Sequence, residues 1–141
     1  MVGLETKPYR EAHADLFQPH PVWSSQFEQA KPMLEKLGKY DQACVHMHEG
    51  RILFIGGYFE CAPGVAEVFL YPSVHIEKSK KTYLAEVKFW LAHLKTKYRR
   101  LQCWGENTDA SYLWLTHLGF TCEGKLRYYT VEGDMLIWGM V

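Results

Sequence analysis

The hydrophobic period of this chain changes at Pro72. Before it, residues 51–59 form a nearly continuous apolar run, and residues 65–71 form a second short one. After it, Leu84, Val87, Leu91, Leu94 and Tyr98 recur at i, i+3, i+7 over about twenty residues. That is the pattern of a long helix with one apolar stripe. Residues 100–105 then return to strand character. A strand, a long helix and a second strand imply a right-handed crossover that leaves the two strands parallel.

The other elements are predicted from this centre outwards. Residues 1–24 read as irregular, because Pro8, Pro19 and Pro21 interrupt any long element, although residues 10–17 suit a short helix. Ser24 or Ser25 is placed to cap a helix that runs to about Leu37, with Gly38 as its stop and Phe27, Ala30, Leu34 and Leu37 on its apolar face. Residues 43–48 alternate like a strand, Glu49-Gly50 marks a turn, and Ala62-Pro63-Gly64 turns the chain before residues 65–71. Residues 108–118 suit a short helix capped by Asn107 or Thr108 and stopped by Gly119. Residues 121–131 and 135–141 are strands joined at Glu132-Gly133-Asp134. The expected product is one α/β domain over residues 1–141: a mixed, mostly antiparallel central sheet with helices on both faces.

Composition excludes several function classes. Sixteen basic residues balance sixteen acidic ones, so no overall field draws the chain to nucleic acid or to an anionic membrane. No apolar run approaches the ~20 residues of a membrane span. Glu5, Lys7 and Arg10 give the N-terminus the wrong character for a signal peptide. Cys44, Cys61, Cys103 and Cys122 are widely spaced and contain no C-x-x-C pair. They read as reduced, mostly buried cysteines of a soluble protein that is not secreted.

The element order and its motifs resemble the GNAT superfamily of acyl-CoA-dependent N-acyltransferases. The motifs are Ile55-Gly56-Gly57, Val68-Phe69-Leu70-Tyr71-Pro72, Asn107, and Leu118-Gly119-Phe120. The resemblance covers the chain from about Ser25. Within it, the chain is similar to a family of short-tailed bacteriophage proteins that contains internal virion protein A. Ile55-Gly56-Gly57, the stretch Lys78-Ser79-Lys80-Lys81, Trp104 with Asn107-Thr108, and the terminal hairpin carry that similarity.

The resemblance implies a place for each part of a site. In GNAT enzymes the CoA pyrophosphate lies against the loop before the long helix, held by backbone N–H groups and the positive helix end. If acetyl-CoA or another acyl-CoA binds here, it meets Leu70, Tyr71, His75, Lys78, Ser79, Lys80, Lys81 and Asn107. Counting from Pro72, His75 takes the family's Arg position, and Lys78 and Lys80 take its two Gly positions. Glycine lets backbone approach a ligand closely, and both glycines are gone. The preferred reading makes Ser79 a helix cap and the lysines solvated. Glu67 is the candidate general base and Glu60 the second choice. The family's catalytic Tyr position falls on Leu115, which leaves the nearby Tyr112 as the candidate acid. His46 and His48 have spacing for a metal, but no third ligand is evident, so they read as surface or groove histidines and no metal is expected. Trp90, Trp104, Trp114 and Trp138 read as core.

Two functions follow. The favoured one is a phage accessory or virion-associated protein with an eroded acyl-CoA site, located in the host cytoplasm or the particle. It would bind a phage or host protein, with self-association as a further option. The alternative is an active N-acetyltransferase with an atypical phosphate loop. Twenty-one aromatic residues favour a binding surface, for which Trp23, Phe17, Tyr58, Tyr128 and Tyr129 are candidates.

Overall fold

A computed structural model of the protein describes residues 5–131 and 133–141. The element order is β1 (Glu5–Pro8), α1 (Glu11–Leu16), α2 (Ser24–Gly38), β2 (Ala43–His48), β3 (Arg51–Ala62) and β4 (Val65–Pro72). It continues with α3 (Lys80–Lys95), β5 (Arg100–Glu106), α4 (Asp109–Leu118), β6 (Thr121–Thr130) and β7 (Gly133–Met140). Short 3-10 turns occupy Pro21–Trp23 and Val74–Lys78. The strands lie in the order β1-β2-β3-β4-β5-β7-β6. No helix among the described residues is long and apolar enough to cross a membrane.

The chain divides into two compact units. The first runs through Phe59 and resumes at Phe69–Glu86; the second comprises Glu60–Val68 and Val87–Val141. In the first unit, α2 buries Phe27, Ala30 and Leu34 at helical spacing. They share a core with Tyr9, Phe17, Val45, Ile52 and Ile55. Phe17 is therefore a core residue, not a surface aromatic. Residues 5–24 are also more ordered than their prolines suggest. β1 pairs antiparallel with β2, from Glu5↔Met47 to Pro8↔Cys44. Proline lacks the N–H for a ladder bond, and β1 is an edge strand, where that loss is tolerated.

Neither serine caps α2. Its N-cap is Trp23, and Ser24 Oγ donates to the Pro21 carbonyl at 3.2 Å. Pro32 sits inside the helix, at an exposed position. Gly38 has a different role from the one expected. It is the last residue of the helix, and a Cβ there would lie 2.2 Å from the Tyr9 carbonyl oxygen. Gly38→Ala at an open helical site would gain up to about 1 kcal/mol of helix propensity. Here the obstacle is backbone, which cannot rotate aside, so overpacking should win by about 1–3 kcal/mol. Urea unfolding will measure it. Equal or raised stability of Gly38→Ala would show that the Tyr9 contact does not constrain the helix.

In the second unit β4 and β5 are parallel, with Val65↔Arg100, Ala66↔Leu101 and Glu67↔Gln102. This is the geometry implied by the crossover. β5 then pairs antiparallel with β7, from Leu101↔Met140 to Glu106↔Met135, and β6 lies outside β7. Thr108 caps α4, its Oγ1 accepting from Ser111 N–H at 3.1 Å, and Gly119 ends it at φ +102°. Of the expected hairpin turn, Glu132 lies outside the described residues, while Gly133 and Asp134 belong to β7.

Candidate functional site

The stretch from the end of β4 into the first turn of α3, residues 70–81, lies wholly in the first unit and holds seven of the residues singled out from the sequence. Leu70 and Tyr71 are half-buried at the end of β4. Burial pushes the Tyr71 hydroxyl up to about 12. Ser73 is fully buried, and its Oγ accepts the His75 N–H at 3.1 Å. This bond opens the 3-10 turn Val74–Lys78.

Three further amides of this segment also donate within the protein. Val74 N–H donates to the Gln18 carbonyl at 2.9 Å, Ile76 N–H to the Ser73 carbonyl at 3.4 Å, and Ser79 N–H to the Ile76 carbonyl at 3.1 Å. The Ser79 carbonyl accepts from Tyr83 N–H at 2.9 Å, which makes Ser79 the residue from which α3 starts.

The lysines point to solvent. Lys78, Lys80 and Lys81 are exposed, and Lys80 Nζ lies 3.4 Å from Glu77, which also meets His20 at 3.1 Å. Hydrogen bonds from His20 and then Lys80 hold the Glu77 carboxyl below its ordinary value. Desolvation, followed by the Arg51 and Lys78 charges, lowers the affinity of His75 for a proton. A neutral imidazole is a poor substitute for the arginine that the GNAT resemblance places there.

The second unit holds the other candidates. Glu67 is half-buried on β4 and accepts a hydrogen bond from the Trp104 indole N–H at 3.0 Å. Trp104 is therefore not a core residue; it is 40% exposed and stacks on Tyr129 at 5.5 Å with 11° between the rings. Glu60 braces a turn, its Oε1 accepting the Gly64 N–H at 3.1 Å. Tyr112 lies edge-on to Trp138 at 5.1 Å, and its hydroxyl donates to Cys122 Sγ at 3.7 Å. That bond raises the Tyr112 proton affinity, which makes the phenol a weaker acid. Asn107 is exposed in the turn before α4.

Sequence reasoning missed two arrangements. One is the Glu67–Trp104–Tyr129 set: strand alternation puts Trp104 on the face of Gln102, but only the β4–β5 register brings Glu67 beside them. The other is in the first unit. His46 is not at the surface: it is 2% exposed, stacks on Phe54 at 4.0 Å, and its Nδ1 lies 3.4 Å from Glu86. A bulge between His46 and Met47 breaks the alternation that was to align it with His48. Among the described residues, no group of three His, Cys, Asp or Glu is placed to hold a metal. All four cysteines are free; Cys103 is buried, Cys44 and Cys122 are intermediate, and Cys61 is exposed.

No protein-family model and no curated protein matches the chain. Solved structures do. An acetyltransferase from Bacillus subtilis, crystallised in complex with CoA, is 10% identical with a TM-score of 0.73 over 97% of each chain. An IAA acetyltransferase from Bacillus cereus is 12% identical with a TM-score of 0.68 over 98% of this chain and 99% of its own. A ribosomal-protein-alanine N-acetyltransferase from Brucella melitensis is 18% identical with a TM-score of 0.58 over 81% of this chain and 77% of its own. At these identities the likeness establishes the fold: the chain has the GNAT acetyltransferase fold.

Proposed function

We propose that this chain is a GNAT-fold binding protein whose acyl-CoA pyrophosphate loop no longer serves a nucleotide. One observation carries the reading. An anion nest needs backbone N–H groups that point outward and lack partners. Here the N–H groups of Val74, His75, Ile76 and Ser79 already donate within the protein. Lys78 and Lys80 add side chains where the resemblance implies glycines. On this reading these four amides are not available to a CoA pyrophosphate. The resemblance to the short-tailed phage family supports a virion-associated role, in the particle or the host cytoplasm, exercised through a protein partner.

A second reading, an acyl-CoA N-acetyltransferase, draws support from Glu67, whose carboxylate stands on β4 where the resemblance implies a general base, and from the CoA held by the Bacillus subtilis structure. Acetyl-CoA binding separates the two. With a millimolar Kd, 1 mM acetyl-CoA stabilises the folded state by about 0.4 kcal/mol. That is about 1 °C in Tm for a domain of this size. We expect a shift no larger than this, and no calorimetric binding isotherm at micromolar protein. A shift of several degrees below 1 mM would reject the binding-protein reading.

A further inference from the structure

The Glu67–Trp104–Tyr129 set is held in place by unusual backbone. Between Leu126 and Thr130, β6 advances four residues while β7 advances two, from Met135 to Gly133. The surplus forms a bulge in which Tyr128 adopts φ +54°, a left-handed conformation that a bulky L-residue rarely takes. Asp134 Oδ1 holds it there by accepting the Tyr128 N–H at 3.1 Å. Thr130 and Gly133 close the hairpin with side-chain bonds at 3.1 Å. Bulges re-aim side chains, and this one leaves Tyr129 parallel to Trp104. The indole is fixed from its other end by Glu67. Arg100, on the same β5 face as Trp104, is engaged by Gln102 at 3.1 Å and by Glu123 at 2.9 Å. Its charge is thus answered by residues other than Glu67.

We infer that this set is a docking site for a lysine or arginine side chain of a protein partner. Two aromatic rings, 40% and 60% exposed, present π surface to solvent, and a carboxylate is anchored at their edge. A cation gains from the ring quadrupole and from the carboxylate together. The rings are stacked at 5.5 Å, too close to admit a planar ligand between them, so the ligand sits on the outer faces. An open platform of this kind suits a side chain carried on a macromolecular surface. The inference deepens the binding-protein reading by naming the partner's chemistry. Its test contains no acetyl-CoA, so it can fail while the loop argument stands.

The full-length chain, labelled with ¹⁵N, is titrated with capped Gly-Lys-Gly, Gly-Arg-Gly and Gly-norleucine-Gly peptides. The indole N–H resonance of Trp104 is followed, assigned by its loss in Trp104→Phe. Lysine and arginine peptides should shift it saturably, with the norleucine peptide roughly tenfold weaker. Tyr129→Ser, a change at an exposed ring, should weaken the lysine peptide by a similar factor while the other indole resonances stay in place. Glu67→Gln should abolish the preference for lysine over norleucine. Equal binding of the norleucine peptide, or undiminished lysine binding by Tyr129→Ser, would overturn the assignment.

Discussion

Trp138→Ala is expected to lower stability by about 3–5 kcal/mol, the cost of emptying a large aromatic site in a core that cannot fully collapse. Trp138 is 1% exposed in β7, the strand that lies between β5 and β6. Its indole fills the space that Gly105 leaves open: a Cβ at Gly105 would come within 3.0 Å of Trp138 Nε1. Domains are stable by only about 5–15 kcal/mol, so this one change removes a large share. At 141 residues each kcal/mol is worth roughly 3 °C, which predicts a fall of about 10–15 °C in Tm. Thermal melts and urea midpoints measure it, and an unchanged urea m-value shows that the fold is retained. A loss below about 1 kcal/mol would mean that the strand order places no core weight on this ring.

The second large effect is chemical. Burial, with a smaller contribution from the Glu67 charge, pushes the Cys103 thiol up to about 12. Thiolate is the reactive form. At pH 8 a thiol with a pKa near 12 is ionised to only about one part in ten thousand, against some tens of percent for an ordinary cysteine. Cys61 is exposed, at the end of β3. Cys103 should therefore react with an alkylating reagent on the order of a thousandfold more slowly than the exposed Cys61 in the native protein. In denaturant the two rates should converge. Peptide mapping after timed alkylation distinguishes them, and native rates within tenfold of one another would refute the placement of Cys103. The sign for stability follows from the same shift. A thiol whose folded pKa is raised favours the folded state below its unfolded value and loses that advantage as pH climbs towards 12. The Tyr71 hydroxyl, also near 12, acts in the same direction. Stability should fall above about pH 9.

The parts of this molecule that periodicity determines were legible in the sequence. The crossover from β4 through α3 to β5 could be read because a helical stripe and two apolar runs admit one handedness. Gly119 was legible as a stop because a left-handed residue after a helix calls for glycine. Gly38 was misread because its value lies in a contact with Tyr9, twenty-nine positions away in the chain, and no local pattern records that. β1 was hidden because edge strands tolerate proline, so the signal used to exclude a strand did not exclude this one. In the candidate site, the Lys78–Lys80 substitutions were visible, but the bonds of the His75 and Ile76 amides to the buried Ser73 and of the Val74 amide to Gln18 were not, since no local pattern records them. The Trp104–Tyr129 stack needed the registers of β5 and β6 on β7 and a bulge, none of which hydrophobic alternation encodes.

The insertion of β7 between β5 and β6 has a bearing on synthesis. β6 leaves the ribosome before β7, yet the partner with which it is registered is the strand made after it. Until then, β5 and β6 each wait with open edges. A ribosome adds roughly 5–20 residues each second. The interval between the emergence of residue 130 and that of residue 140 is therefore on the order of a second, during which Leu126 on β6 and Leu101 on β5 have no β7 to face. A nascent chain paused in that window presents unpaired backbone to any strand nearby. Slowing the emergence of residues 131–140 once residue 130 has left the ribosome should therefore lower soluble yield more than the same delay imposed once residue 95 has emerged.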